Sequence, residues 1–385
     1  MHHFRYIRSL LPVAPLWGMA LLLWTSRAAA QGPVRHNAGL GIELNSLAGK
    51  VFRHEEKFTL PIPALTTGTD VNVLWRTWGR KPWHQWRHYP RLGIAAAMIH
   101  YGIDSVYGTT WGLYPNITFP LLHRRHLEWT LRVGNGIGFV TRKYSRANPV
   151  NTVNVAISST INDFIMIRTD GVYTINDHWT VNAGAFVTHI SNGSVRKPNL
   201  GVNVAGISAG LSYYPVTVHP VRVQWPFKPP RDRYLIQARY SMSLVSAFTN
   251  GGPLYPVYIG TAYMSRRWRG NNKAFAGIDY SWHSSTRAYL RDNGLEQGRE
   301  GAQSYKSAII AGNEFLMGRV GILLQAGVYL KKDYLQRQDV YEKVTLNYYC
   351  VQRERGPVKE LFAFVGLKAH LNVAEMGELG VGIGL

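Results

Sequence analysis

Short segments in which every second residue is apolar recur along the chain, and this alternation limits the folds open to it. One such segment covers residues 179–187 and another covers 205–213. Side chains on a β-strand point alternately to its two faces, so each segment predicts a strand with one apolar face and one face of polar or small residues. Clusters of Gly, Asn, Asp and Pro separate segments of ~10 residues. The chain therefore predicts an all-β protein.

The N-terminus has the pattern of a cleaved export signal. Arg5 and Arg8 precede an apolar run without charge over residues 10–24, and three alanines end at Ala30. The run is shorter than the ~20 residues that a membrane-spanning helix needs. We therefore predict a secretory signal peptide at residues 1–30, with cleavage before Gln31.

An exported chain with alternating strands is typical of a barrel that has lipid outside and small or polar residues inside. We expect residues 31–385 to form a transmembrane antiparallel β-barrel of about 14 strands, with 12 to 16 as the range and even numbers favoured. The last strand runs to Leu385. We interpret the proline-rich stretch 221–233 as a loop within this barrel and not as a boundary between independent domains.

Charge and cysteine content restrict the partners and the source of stability. The net charge is +21, and the only cysteine is Cys350, so an intramolecular disulfide is impossible. Nucleic acid is not expected as a partner of an exported protein. An anionic membrane surface rich in lipid phosphates fits the charge better.

One segment combines residues that could carry chemistry. His189 and Ser191 lie two positions apart on a predicted strand, so their side chains share a face and their backbones are ~6–7 Å apart. They continue the apolar, lipid-facing series of residues 179–187. A hairpin after Ser191 would bring Asn203, on the same face of the next strand, beside His189. Histidine could then take the proton of Ser191 as the serine attacks an ester.

Polar groups that face lipid are costly unless they are paired or near the interface. An enzyme whose substrate is an acyl chain in the membrane has a reason to place a Ser, a His and an Asn there. The other interpretation is a polar barrel rim in which a His-x-Ser sequence occurs by chance. That interpretation leaves a non-enzymatic porin or surface-binding barrel open as an alternative function.

The sequence His189-x-Ser191-Asn192, followed by Pro198-Asn199-x-Gly201, resembles the signature of the lipid A 3-O-deacylase (PagL-type, acyloxyacyl hydrolase) family. The resemblance covers about residues 134–214, and the strands beyond it resemble longer homologues. It implies an outer-membrane serine esterase, a carboxylic ester hydrolase, that removes a fatty-acyl chain from lipid A of lipopolysaccharide.

The family resemblance also implies roles for individual residues. The matching histidine, His189, is the base and the matching serine, Ser191, is the nucleophile. The residue at Asn199 is implicated in the oxyanion hole, together with a loop amide near Gly193 or Ser194. Asn192 is a further candidate for substrate binding.

One position departs from the small deacylases, which have Glu where this chain has Asn203. An amide can orient the histidine but cannot stabilise its charged form, so a slower enzyme is expected. The same Ser-His-Asn set resembles outer-membrane phospholipase A, which uses calcium. That enzyme is the second alternative.

For the deacylase reaction we expect no cofactor and no metal. The expected partners are lipid A of lipopolysaccharide and the lipid of the outer membrane of a Gram-negative bacterium. Both a monomer and a homodimer remain open.

Overall fold

A computed structural model describes residues 39–53, 56–216, 233–268, 270–371 and 373–385, with residues 222, 224 and 226 as isolated positions. The predicted signal peptide at residues 1–30 lies outside the described residues. The described chain is all-β apart from two short helices, neither of which has the length and apolar character to cross a membrane.

The strands of the first half are β1 (Leu40–Val51), β2 (Thr66–Arg76), β3 (Arg91–His100), β4 (Thr109–Arg124), β5 (Leu127–Val140), β6 (Ile161–Thr174), β7 (Trp179–Ser191) and β8 (Val202–Tyr213), with helix α1 (Pro82–Trp86) between β2 and β3. Those of the second half are β9 (Tyr234–Ser246), β10 (Leu254–Trp268), β11 (Asn272–His283), β12 (Tyr305–Met317), β13 (Val320–Lys331), β14 (Val340–Gln352), β15 (Glu360–His370) and β16 (Val373–Gly384), with helix α2 (Ser284–Asp292) after β11.

These strands close into two barrels of eight, each antiparallel between sequence neighbours. In the first barrel β8 returns to β1, with Leu211 opposite Leu44. In the second barrel β16 returns to β9, with Val381 opposite Tyr240. The all-β prediction is confirmed. The described chain has sixteen strands, which is within the expected range of 12 to 16, but the count of about 14 is not confirmed. The expected single barrel is wrong, because these strands form two closed sheets.

The stretch 221–233, which we interpret as a loop inside one barrel, lies for the most part outside the described residues. The strands on either side of it, β8 and β9, belong to different barrels. Alternation along a strand decides which residues face lipid, but it contains no information about which strand closes the sheet. The pattern is therefore the same for one large barrel and for two small ones.

The two faces of each barrel differ sharply in polarity. Large apolar side chains are exposed on the outside, including Leu113 and Ile207 in the first barrel and Ile236 and Val381 in the second. Such a surface is expected to face lipid and not water. The alternation of the sequence thus produces an apolar outer surface on both barrels.

Ion pairs between distant strands fill the interiors. In the first barrel Arg132 on β5 lies 2.7 Å from Glu43 on β1, and Arg168 on β6 lies 3.4 Å from Asp70 on β2. In the second barrel the distance from the Lys273 Nζ atom on β11 to a carboxylate oxygen of Glu360 on β15 is 2.6 Å. An eight-stranded barrel is just wide enough for side chains to fill it. Both barrels follow that rule.

An apolar cluster packs under the loops at the end of the first barrel where β7 ends. It combines Phe58 from the β1–β2 loop, Tyr107 from the β3–β4 loop and Ile157 from the β5–β6 loop with Ile190 of β7 and Val202 of β8. All five are at most 2 % exposed. Close packing of this kind fixes the backbone on both sides of the β7–β8 loop.

Candidate active site

The pairing of β7 with β8 brings three polar side chains together on the outer face of the first barrel. His189 on β7 lies directly opposite Asn203 on β8. Ser191 is two residues farther along β7, on the same face as the exposed Val187. The sequence predicts both this shared face and this hairpin pairing, and the structure places the three residues accordingly.

The three side chains form a continuous chain of hydrogen bonds. Nδ1 of His189 lies 2.6 Å from Oδ1 of Asn203, and Nε2 lies 3.0 Å from Oγ of Ser191. An amide oxygen only accepts, so Nδ1 donates the ring proton to Asn203. In the neutral ring Nε2 is then unprotonated and accepts the hydroxyl proton of Ser191. This is the geometry in which a histidine can activate a serine as a nucleophile.

The site is buried and closely packed. Ser191 is 3 % exposed and Asn203 is 9 % exposed, although both stand on a face that is apolar and open elsewhere. Gly201 passes close over the imidazole, since a Cβ at this position would lie 2.7 Å from Cε1 of His189. Gly201 also has a φ of +77°, so a side chain there would be both strained and in collision. Only a glycine at position 201 therefore lets the backbone pack this closely against the histidine ring.

The chain turns sharply after Ser191. Gly193 and Ser194 both adopt left-handed backbone conformations, with φ of 61° and 64°, and the amide of Val195 donates to the carbonyl of Asn192. Two consecutive residues of positive φ are typical of a tight type I′ turn. The backbone amides of this turn follow directly after the serine along the chain, and their part in an oxyanion hole stays a prediction.

The other motif residues anchor this turn. Oδ1 of Asn199 accepts the backbone amide of Asn192 at 2.9 Å. The side-chain amide of Asn192 donates in turn to the carbonyl of Arg196 at 3.0 Å and to the Ser158 hydroxyl at 3.3 Å. Asn199 and Asn192 thus hold the segment beside the nucleophile, and their direct contact with a substrate stays a prediction.

One acidic neighbour of Ser191 was not predicted from the sequence. Asp163 on β6 lies directly opposite Ser191, and its Oδ1 accepts a hydrogen bond from Nδ2 of Asn135 at 2.7 Å. Asp163 has the same parity as Ile165 and the exposed Ile167, so the alternation along β6 places a carboxylate on the lipid-facing side. A charged residue at an apolar position of the alternating pattern is the signal from which Asp163 could have been identified.

A second hydrogen-bonded serine and histidine occur in the other barrel. Oγ of Ser281 lies 3.0 Å from Nε2 of His283, and both residues are almost completely buried. Neither was a candidate from the sequence. Among the residues that the structure describes, no group of three or more His, Cys, Asp or Glu side chains is arranged to hold a metal ion.

Comparison with protein-family models gives two matches. The model described as lipid A 3-O-deacylase (PagL) matches residues 67–212, from β2 to β8. The model described as acyloxyacyl hydrolase, C-terminal domain, matches residues 234–385, which contain the whole second barrel. Together they cover most of the chain, and the boundary between them falls between the two barrels. No curated protein matches the chain.

Several solved outer-membrane proteins are similar to the chain at low identity. Neisserial surface protein A (NspA) is 10% identical, with 46% of this chain and 97% of that chain covered and a TM-score of 0.33. An outer membrane channel from Pseudomonas putida F1 is 9% identical, with 92% and 99% covered and a TM-score of 0.21. A mutant of the Rh. blastica porin is 6% identical, with 90% and 100% covered and a TM-score of 0.18.

Proposed function

The chain belongs to the lipid A 3-O-deacylase (PagL) family, and on that premise we propose that it is an outer-membrane serine esterase that removes a fatty-acyl chain from lipid A of lipopolysaccharide. The observation that carries the proposal is the hydrogen-bonded chain from Ser191 through His189 to Asn203 on the outer face of the first barrel. A lipid ester can reach that face without leaving the membrane.

The proposed reaction has two halves. Oγ of Ser191 attacks the ester carbonyl carbon while Nε2 of His189 takes the hydroxyl proton. His189 then returns this proton to the sugar oxygen as the ester bond breaks, which leaves an acyl group on Ser191. In the second half a water molecule gives a proton to His189 and attacks the acyl-enzyme. His189 then returns that proton to Oγ of Ser191 as the bond to the acyl group breaks and the fatty acid leaves.

Asn203 holds His189 in the tautomer that this reaction needs. Its amide oxygen accepts the Nδ1 proton but carries no charge, so it stabilises the imidazolium less than a carboxylate would. The turn at Gly193 and Ser194 supplies backbone amides for the oxyanion, and Asn199 positions that turn.

Asparagine as the partner of His189 favours a phospholipase A as the second candidate, because the Ser-His-Asn set resembles the catalytic residues of outer-membrane phospholipase A. A porin is disfavoured, since ion pairs between distant strands fill the interiors of both barrels. Location in the outer membrane of a Gram-negative bacterium is part of the proposal. The family and the apolar outer surface of both barrels support it.

Mass spectrometry of lipid A after incubation with the refolded protein tests the proposed function. The wild-type protein should remove one acyl chain, and the Ser191→Ala variant should remove none. If lipid A stays intact with both proteins while a phospholipid is cleaved in the presence of calcium, the phospholipase replaces the deacylase. If neither lipid is cleaved, the enzyme hypothesis is wrong.

A further inference from the structure

The turn that follows the nucleophile is bonded to the second barrel. Oγ of Ser194 donates to the backbone carbonyl of Ala374 at 2.6 Å, and the backbone amide of Gly377 donates to the carbonyl of Gly193 at 3.1 Å. Ala374 and Gly377 both belong to β16, the last strand of the chain. Two hydrogen bonds therefore join residues 193–194 to a strand about 180 residues away in sequence.

The start of β16 is not fully paired with its neighbouring strands, so its backbone groups are available to the turn. β16 pairs with β9 only from Leu379 to Gly384, so Ala374 and Gly377 lie beyond the end of that ladder. The pairing of β16 with β15 also shifts register next to Lys368, which leaves Glu375 without an opposite residue. A bulge of this kind disrupts the ladder and turns the strand. The opened part of β16 is where the turn of the first barrel docks.

Two further contacts involve the same loop. A Cβ placed on Gly193 would lie 3.6 Å from Cδ1 of Leu367, so the Leu367 side chain on β15 packs against the turn. At the other end of the loop the amide of Gly251, in the β9–β10 connection, donates to the carbonyl of Lys197 at 3.3 Å. The β7–β8 loop is thus braced internally by the hydrogen bond from Asn192 to Asn199, and it is held from the second barrel by β15, β16 and the β9–β10 connection.

We propose that the second barrel is a positioning domain for catalysis: β15 and β16 fix the turn at Gly193 and Ser194 so that its amides point at the oxyanion. The inference rests on the proposed function of Ser191. Oxyanion donors act only when they are held in place before the charge develops, and small displacements of reacting groups cost large factors in rate. Ser194 is a positioning residue in this proposal, because it acts through the turn.

The contact between the turn and β16 can be tested without any substrate. In a Cys350→Ser background, the pair Ser194→Cys and Ala374→Cys should form a disulfide on mild oxidation, detected as a linked peptide by mass spectrometry. The control pair Ala183→Cys and Ala374→Cys should stay unlinked, because Ala183 lies in the middle of β7, far along the strand from the turn. Failure of the first pair to link in the folded protein would overturn the docking.

Positioning is tested by three variants of the full chain on lipid A. Ser194→Gly removes the hydroxyl but suits the left-handed backbone, whereas Ser194→Ala removes the hydroxyl and keeps the backbone strain. Leu367→Ala removes the packing from β15, and Leu361→Ala, on the same face of the same strand but 42% exposed, is its matched control. We expect kcat to fall about tenfold or more in the first three, with KM changed less than twofold, and no change in Leu361→Ala.

The two Ser194 variants separate positioning from simple turn stability. If only the shape of the turn mattered, Ser194→Gly would be as active as the wild type, and that result would overturn the proposal. Wild-type activity in Leu367→Ala and Ser194→Gly together would show that the second barrel has no part in catalysis. An inactive wild-type protein would instead refute the proposed function, and the cross-link would still decide whether the turn docks on β16.

Discussion

Each barrel contains a hydrogen-bonded serine and histidine two residues apart near the end of a strand, but the two pairs stand on opposite faces of their sheets. His189 and Ser191 lie on the outer face of β7, next to the exposed Val187. Ser281 and His283 lie on the inner face of β11, in line with the buried Asp279. The same short contact therefore occurs on two different faces, one on the lipid-facing side of its sheet and one inside a filled barrel.

The further partner of the histidine also differs between the two pairs. In the first barrel the Asn203 oxygen binds Nδ1 of His189, so the opposite nitrogen is left for the serine. In the second barrel the nearest carboxylate oxygen, from Glu375, lies 4.0 Å from Nε2 of His283, the nitrogen that already contacts Ser281. Glu375 is itself held by Lys306 at 2.5 Å and by Lys368 at 3.1 Å. The second pair is thus part of a buried ionic network, and a close Ser–His contact alone does not define a catalytic site.

The largest expected effect comes from deleting the two serine hydroxyls separately. Ser191→Ala should lower lipid A hydrolysis by roughly 10⁴-fold or more, because the nucleophile is lost. Ser281→Ala should leave the rate within about twofold. Release of fatty acid measures both, and the heat-dependent shift in gel mobility shows that each barrel still folds. Equal losses in the two variants would remove the distinction between the pairs.

A smaller loss is expected at the residue that holds the turn in the first barrel. Asn199→Ala removes the acceptor of the Asn192 amide and should lower kcat by roughly 10²-fold, the scale of a lost oxyanion contact. Gln325→Ala, which removes a buried amide contact to Arg239 in the second barrel, is the matched control and should not change kcat. Steady-state kinetics on lipid A measures both. A change in KM alone in Asn199→Ala would indicate a role in binding and not in the transition state.

The smallest expected effect is an increase in kcat. Asn203→Glu places a carboxylate where the amide now accepts the Nδ1 proton, and it should raise kcat about three- to tenfold by stabilising the imidazolium. Asn203→Ala should lower kcat instead, because His189 then loses its orienting partner. The two variants are compared at one pH with the wild type. A fall in both variants would show that the site is built around the neutral amide.

Local patterns were sufficient to predict that three polar side chains meet on the outer face of the first barrel. The parity of residues 179–191 predicts that His189 and Ser191 share the outer face, and the hairpin to β8 brings Asn203 beside them. Spacing within one hairpin depends on short-range geometry that the sequence contains directly. For the same reason the all-β fold and the apolar outer surface follow from the sequence.

Closure and long-range contacts could not be predicted in this way. Whether β8 returns to β1 or continues to β9 is decided by packing and ion pairs between distant strands, such as Arg168 with Asp70. The position of Asp163 beside Ser191 needs the register of β6 against β7. The docking of Ser194 on Ala374 joins two barrels whose relation no local pattern encodes.

The most direct test of the central claim is to map which serine reacts with a fluorophosphonate, a probe that forms a covalent bond only with an activated serine. The probe should attach to the peptide that contains Ser191, and the attachment should disappear in His189→Ala. The peptide that contains Ser281 should stay unmodified in both proteins. Modification at Ser281, or none at Ser191 in the folded wild-type protein, would contradict the assignment of catalysis to the outer-face pair.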